Sequence, residues 1–246
     1  MVIAEEQIGG LTLLQSPEEF QLTRDALALV EFADVKKGDR VCDLGCGVGN
    51  LLIPLGARAQ KLTLDGVELR ESAAALCRES LRRSGLTGTI VTGDLRERHE
   101  ALAWGSYDLV VANPPYFRSG SGKTSPAAGR ACARTEEGYT LKTACQAAKK
   151  LCKYGGKFAL CLRPERLGEL FAALSAEGLE PKRLQLIQSR AETEPNLALV
   201  EARIEKVPAI TRLRRRIAGD KRIIVAQENV LGTYLLDQMV RYLYEK

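Results

Sequence analysis

Histidine is almost missing from this chain of 246 residues: the single one, His99, sits in the charged run Arg96-Glu97-Arg98-His99-Glu100. Cysteine occurs seven times but never as Cys-x-x-Cys, and Cys42 and Cys46 have no third thiol in step with them. One imidazole and no thiol pair argue against a zinc site, an iron–sulfur cluster and a Ser-His-Asp triad. No metal is expected, and whatever chemistry occurs must run without a histidine base. Long apolar runs are lacking too, none approaching the roughly 18 residues that a membrane span needs. The start Met1-Val2-Ile3-Ala4-Glu5-Glu6 is acidic and has no basic n-region, so it does not read as a signal peptide. No membrane partner is expected, and the default compartment is the cytoplasm.

What the chain does have is enough apolar material, 45%, to bury the core of one large α/β domain with a short appendage. A net charge of +5 hints at an anionic partner. Early on, Gly9-Gly10 and Leu11-Thr12-Leu13-Leu14 suggest a short hairpin, and Ser16-Pro17-Glu18-Glu19 a turn or helix start. Ala26, Leu27, Val30 and Phe32 mark an amphipathic helix from Thr23 toward Val35. Strand patterns follow at 40–44, 62–68, 89–92 and 107–112, separated by helical patterns, which argues a parallel sheet covered on both faces. Further on we expect a long helix over 136–154 stopped by Gly155-Gly156, a strand over 157–162, a helix opening at Arg163-Pro164-Glu165-Arg166, and closing strands over 184–188 and 197–204. The last forty or so residues change character. The basic run Arg212, Arg214, Arg215, Arg216, Lys221 and Arg222 reads as a solvated face, and the apolar stripe over 230–243 as a docked helix. The expected division is therefore a domain over 1–205, with an extension from 1 to about 35, and a basic segment plus helix over 206–246 packed on the same domain.

The chain is organised around Asn113-Pro114-Pro115-Tyr116 at the end of the 107–112 strand. Two prolines remove two backbone donors and fix two φ angles, so the strand must stop in a stiff turn. Such a corner suits a flat group carrying an NH2. The Asn113 side-chain oxygen and the Pro114 carbonyl can each accept one amino hydrogen, and Tyr116 can lie against the ring. Upstream, Asp43-x-Gly45-x-Gly47-x-Gly49 stands where the first core strand meets a helix, so a ligand can approach the backbone closely. Glu68 ends the next strand, the usual place for a carboxylate that grips ribose hydroxyls. A dinucleotide fingerprint would need glycine where Asn50 stands, which demotes a nicotinamide or flavin enzyme. S-adenosylmethionine uses every feature: its carboxylate meets the glycine loop, its ribose meets Glu68, and Asp94, after the third strand, reaches the adenine amino group. Ser121-Gly122-Lys123-Thr124 is not a phosphate-binding loop, because Phe117 stands where the pattern requires glycine. The stretch from Arg118 to Arg134 carries Lys123 and Arg130 as well, with no acid. It is either a flexible surface loop or a basic flap that orders on nucleic acid.

With these residues in place the chain resembles class I methyltransferases that modify amino groups, and more narrowly the valine-tRNA (adenine-N6)-methyltransferase family. The likeness also includes Gln15-Ser16-Pro17-Glu18-x-Phe20 with Asp25-Ala26, then Arg163-Pro164-Glu165-Arg166-Leu167, Glu180-Pro181-Lys182-Arg183 and Leu197-x-Leu199-Val200-Glu201-Ala202. The resemblance implies a Rossmann-like seven-stranded sheet with its last strand antiparallel and helices on both faces. It implies that Asp25 helps close the cofactor pocket, and that the substrate is the adenosine just 3′ of the anticodon in a valine tRNA. Pro115, Tyr116 and Phe117 would then meet the base, while Arg118, Lys123, Arg130, Arg134, Arg163 and Arg166 supply phosphate contacts. The chain departs from the family at Ala133-Arg134-Thr135-Glu136, where relatives often carry Ala-Arg-His-Glu, and after about Glu205. Two other readings stand beside this one. The same corner serves methylation of a protein glutamine amide, and a non-catalytic RNA-binding protein would keep the cofactor as a structural ligand.

Overall fold

The computed structural model describes residues 3–114, 139–190, 192–205, 212–217 and 223–226. Its strands are β1 (Ala4–Ile8), β2 (Leu11–Gln15), β3 (Arg40–Leu44), β4 (Thr63–Glu68), β5 (Ile90–Thr92), β6 (Tyr107–Ala112), β7 (Cys152–Leu162), β8 (Glu180–Gln188), β9 (Leu197–Arg203), β10 (Arg212–Ile217) and β11 (Ile223–Ala226). Its helices are α1 (Arg24–Phe32), α2 (Leu52–Arg58), α3 (Glu71–Arg83), α4 (Leu141–Leu151) and α5 (Leu167–Ala176).

Strands β5, β4, β3, β6 and β7 lie side by side in that order and all parallel. Strand β9 joins β7 antiparallel and β8 joins β9 antiparallel, which completes the seven-stranded Rossmann-like sheet. Side chains alternate between its two faces. Val41, Leu109, Val111 and Ala159 enter the core under α1, α2 and α3, while Cys42, Val110, Phe158 and Leu160 enter the one under α4 and α5. Both faces are dry, as a mostly parallel sheet requires.

Three expectations are corrected. Two more strands extend the sheet to nine, with β10, where the arginine run begins, parallel to β8 and β11 antiparallel to β10. The apolar stripe over 230–243 lies outside the described residues. The long helix over 136–154 is shorter: α4 ends at Leu151 and β7 starts at once, with Cys152 extended (φ −63, ψ 138) and its N–H donating to Ala148 O. Gly155-Gly156 does not stop a helix but shapes a bulge, because Tyr107 pairs with Cys152 and Leu109 with Lys157. Gly155 has φ +73 there, which glycine adopts at no steric cost. Strand β8 starts at Glu180 rather than 184, since Arg183 pairs with Glu201 across the ladder.

That pairing anchors the helix that carries Asp25. Glu201 is fully buried and receives Arg183 at 2.7 Å and Arg203 at 3.4 Å. An unpaired charge there would be costly, so each cation holds its place. Arg183 also donates to Phe32 O at the end of α1 (2.6 Å) and lies 4.2 Å from the Phe32 ring centroid. Beside it Lys182 pairs with Glu205 at 3.2 Å and Lys157 with Asp34 at 2.7 Å. The Pro181-Lys182-Arg183 segment therefore fixes α1 to the sheet.

The hairpin β1–β2 docks on α3 through two serines, Thr12 N–H donating to Ser84 Oγ at 2.9 Å and Leu14 N–H to Ser80 Oγ at 3.0 Å.

Candidate active site

In an open α/β sheet, ligands meet the carboxyl ends of the parallel strands. Here those ends carry the predicted residues together: the loop after β3, Glu68 closing β4, Gly93-Asp94 after β5 and Asn113-Pro114 after β6. Pro115, Tyr116, Phe117, Arg118, Lys123, Arg130 and Arg134 lie outside the described residues.

The glycine loop is a tight turn pinned to β4. Gly45 N–H and Cys46 N–H both donate to Val67 O, at 2.8 and 3.0 Å. Gly47 N–H donates to Glu68 Oε2 at 2.9 Å, while Arg70 N–H donates to Glu68 Oε1 at 3.0 Å. Glu68 thus braces the loop with Oε2 and, through Arg70 N–H and Nε, the turn into α3 with Oε1, and Oε2 keeps a lone pair for a ribose hydroxyl. Gly45 has φ +74, and a Cβ there would sit 2.6 Å from Tyr139 Cε1. Gly47 has φ +54 and open space where a Cβ would stand, which leaves the loop approachable.

Asp43 is buried, and its Oδ1 has no hydrogen-bond partner among the described residues. Burial first, and the Glu68 carboxylate second, push its pKa well above the usual carboxylate range. A site of this kind is built to receive a cation. S-adenosylmethionine carries an α-ammonium for Asp43 and a ribose diol for Glu68, so the residues present fit it. The sign of the pH effect follows. A carboxyl whose folded pKa is raised favours the folded state below its unfolded value, and that advantage disappears as pH rises toward the folded value. Without cofactor, wild-type protein is expected to lose melting temperature relative to Asp43→Asn as pH rises above about 4, the unfolded value, since nothing titrates at that position in the variant. Parallel melting curves of the two proteins across that range measure it; coincident pH dependence would contradict the assignment.

Asn113 is half-buried, and Pro114 is buried. Ala112 of β6 pairs with Leu160 of β7, which sets Asn113 beside Cys161, and the Cys161 thiol donates to Asn113 Oδ1 at 2.9 Å. Asp94 is turned into its own loop, accepting from Arg96 N at 2.8 Å and Arg96 Nε at 2.9 Å. The Arg96 side chain holds its pKa below the ordinary range. Asp25 stands half-buried in the first turn of α1, where Thr23 Oγ1 caps the helix by accepting from Ala26 N–H at 3.1 Å. Arg163 and Arg166 follow β7 at the same edge. Arg163 donates to Asn196 O at 2.7 Å, and Arg166 pairs with Glu169 at 2.9 Å.

Four contributors had no sequence signal of their own. Tyr139, just ahead of the α4 cap, donates its hydroxyl to Leu44 O, and its ring covers Gly45. Burial, then Asp43, Cys161 and Glu68, push its phenol pKa up, so it stays a donor and marks the middle of the site. Cys161 is the second. Asn50 is the third: its Nδ2 donates to Phe20 O at 2.9 Å, which draws the segment after β2 over the glycine loop. Arg70 completes that cover, 5.3 Å from the Phe20 ring centroid and paired with both Glu19 and Glu68. Among the described residues no group of three or more His, Cys, Asp or Glu side chains is placed to hold a metal ion.

Comparison with known proteins identifies the family. Residues 22–138 match the family model described as the methyltransferase small domain. The tRNA1(Val) (adenine(37)-N6)-methyltransferase of Tolumonas auensis is 30% identical over 72% of this chain and 73% of its own length. That of Porphyromonas gingivalis is 30% identical over 74% of this chain and 71% of its own. Among solved structures, one described as a predicted O-methyltransferase from Agrobacterium tumefaciens superimposes with a TM-score of 0.62 over 89% of this chain and 96% of that one, at 20% identity. That last likeness speaks for the fold alone. The chain is thus an S-adenosylmethionine-dependent methyltransferase and belongs to the tRNA1(Val) (adenine(37)-N6)-methyltransferase family.

Proposed function

We propose that this chain methylates N6 of an adenine in tRNA, the adenosine 3′ of the anticodon in a valine tRNA, in the cytoplasm. The observation that carries the reading is Asn113 with Pro114 at the end of β6, one strand from the glycine loop and its unpartnered Asp43. The relatives from Tolumonas auensis and Porphyromonas gingivalis, named for that reaction, support it. The chain has no helix among its described residues that is long and apolar enough to cross a membrane.

S-adenosylmethionine supplies an activated methyl on a sulfonium, so the protein has to bind, align and tune the nucleophile. An adenine amine is a poor nucleophile because its lone pair is delocalised into the ring. Asn113 Oδ1 and the Pro114 carbonyl accept its two hydrogens, which favours a pyramidal nitrogen and aims the lone pair. Most of the rate gain is then orientation and electrostatic complementarity. Asp43 and Glu68 hold the cofactor's ammonium and ribose, and Asp25 and Asp94 border the same pocket. Tyr116, Pro115 and Phe117 face a base turned out of the anticodon loop. Arg118, Lys123, Arg130, Arg134, Arg163 and Arg166 take phosphates, which makes binding fall with salt. No strong base is needed, because the cationic product amine loses its proton readily.

The deciding experiment is incubation with unmodified tRNA and labelled cofactor, followed by mass spectrometry of the modified nucleoside. N6-methyladenosine 3′ of a valine anticodon is expected. Label appearing in protein glutamine, or in no pool at all, would refute the reading.

A further inference from the structure

We propose that the Cys161 thiol is a positioning residue for this reaction, holding the Asn113 amide so that the free lone pair of Oδ1 faces the reacting amine. The inference rests on the role given to Asn113 above.

A terminal amide presents an oxygen at one end and an NH2 at the other, and rotation by half a turn exchanges them. An Asn that must accept from an amine works in only one of these two states. Cys161 Sγ lies 2.9 Å from Oδ1 and donates to it. In the reversed state the NH2 would meet a sulfur that accepts only weakly, so the contact favours the state in which Oδ1 accepts from the thiol. The amide oxygen has two lone pairs. The thiol engages one from the β7 side, and the other is left for substrate. A thiol is a weak donor, so it orients the oxygen without greatly reducing its strength as an acceptor.

The support behind the thiol is stiff. Cys161 is 0% exposed and sits in mid-sheet, with β6 on one side and β9, where it pairs with Leu199, on the other. Burial alone would make Cys161 one more small core residue among Val111, Ala159 and Leu199. What sets it apart is that its sulfur touches the one side chain whose orientation the reaction depends on.

The test compares Cys161→Ala, Cys161→Ser, Asn113→Ala and the Cys161→Ala/Asn113→Ala double variant. Four quantities are read: kcat, KM for tRNA, calorimetric affinity for S-adenosylhomocysteine and melting temperature. Cys161→Ala is expected to lose about tenfold in kcat with little change in KM or ligand affinity, as for a misaligned reacting pair. Cys161→Ser, which restores a donor, recovers most of that loss. The double variant is no worse than Asn113→Ala. Normal kcat in Cys161→Ala while Asn113→Ala is inactive would overturn the inference and leave the reading of Asn113 intact. Normal kcat in Asn113→Ala would instead remove that reading. Should Cys161→Ala fold or bind ligand poorly, Cys161→Ser decides alone. Native ligand affinity with high kcat supports the proposal, and native affinity with low kcat overturns it. An independent readout is the infrared S–H band of Cys161, isolated as a wild-type minus Cys161→Ser difference. It is expected to shift when Asn113 becomes alanine, and an unmoved band would count against the contact.

Discussion

Replacing Asn113 by alanine is expected to reduce methyl transfer by about two to three orders of magnitude, the cost of deleting one well-placed group that acts in the transition state. Affinity for S-adenosylhomocysteine should stay within a few-fold of wild type, because the anchors proposed for the cofactor, Asp43 and Glu68, stand on β3 and β4. The split between turnover and binding is the informative part. An interaction made only in the transition state lowers kcat and leaves ground-state binding unchanged. Single-turnover transfer to unmodified tRNA, paired with calorimetry, measures both. A variant that binds poorly and turns over poorly would place Asn113 in the structure of the pocket rather than in its chemistry.

Gly45→Ala should have the largest effect on binding and on stability together. Its φ of +74 is unfavourable for alanine, and the new Cβ would lie 2.6 Å from Tyr139 Cε1. A left-handed residue costs about 1–2 kcal/mol, and overpacking costs about 1–3 kcal/mol more. The ring has little room to yield, since the Tyr139 hydroxyl is tied to Leu44 O and α4 is capped one residue further on by Thr140. For a chain of this size, a loss of that order lowers the melting temperature by roughly 5–15 °C. Ligand binding should fall with it, because the loop amides shift together. A Gly45→Ala protein with native melting and native affinity would show that Tyr139 moves freely, contrary to the hydrogen bond that holds it. Gly47→Ala is the useful contrast: it shares the positive φ but has open space, so only the backbone cost remains.

The parts of this molecule that could be read from residue order are those encoded locally. Arg40-Val41-Cys42-Asp43-Leu44 and Tyr107 to Ala112 are short apolar runs with a turn signal at each end, and both are strands. Thr23 caps α1 as a β-region residue with its oxygen on Ala26 N–H, and that helix starts where expected. The boundary between α4 and β7 was hidden because apolar residues continue through Cys152 while the chain is already extended. Tertiary pairing with Tyr107 outweighed the helical period. The contacts that complete the site could not be read at all. Tyr139 reaches Leu44 across 95 positions because α4 packs on the sheet, and Cys161 reaches Asn113 across 48 through the register of β6 and β7. Asn50 is instructive. As a mismatch to a dinucleotide fingerprint it was only an exclusion, yet its side chain ties down Phe20. In the same way Arg183, quoted for family likeness, turned out to neutralise a buried Glu201.

Two serine hydroxyls moor β2 to α3, and from β2 the chain runs straight to the backbone that Asn50 grips beside the glycine turn. Residues 11–15 are thus moored to α3, and the stretch that follows is held beside the glycine loop at Phe20. Amide protons of β2, Leu11–Gln15, should exchange with solvent more slowly than those of the exposed stretch that follows, and proteolysis within β2 should wait on the opening of the domain.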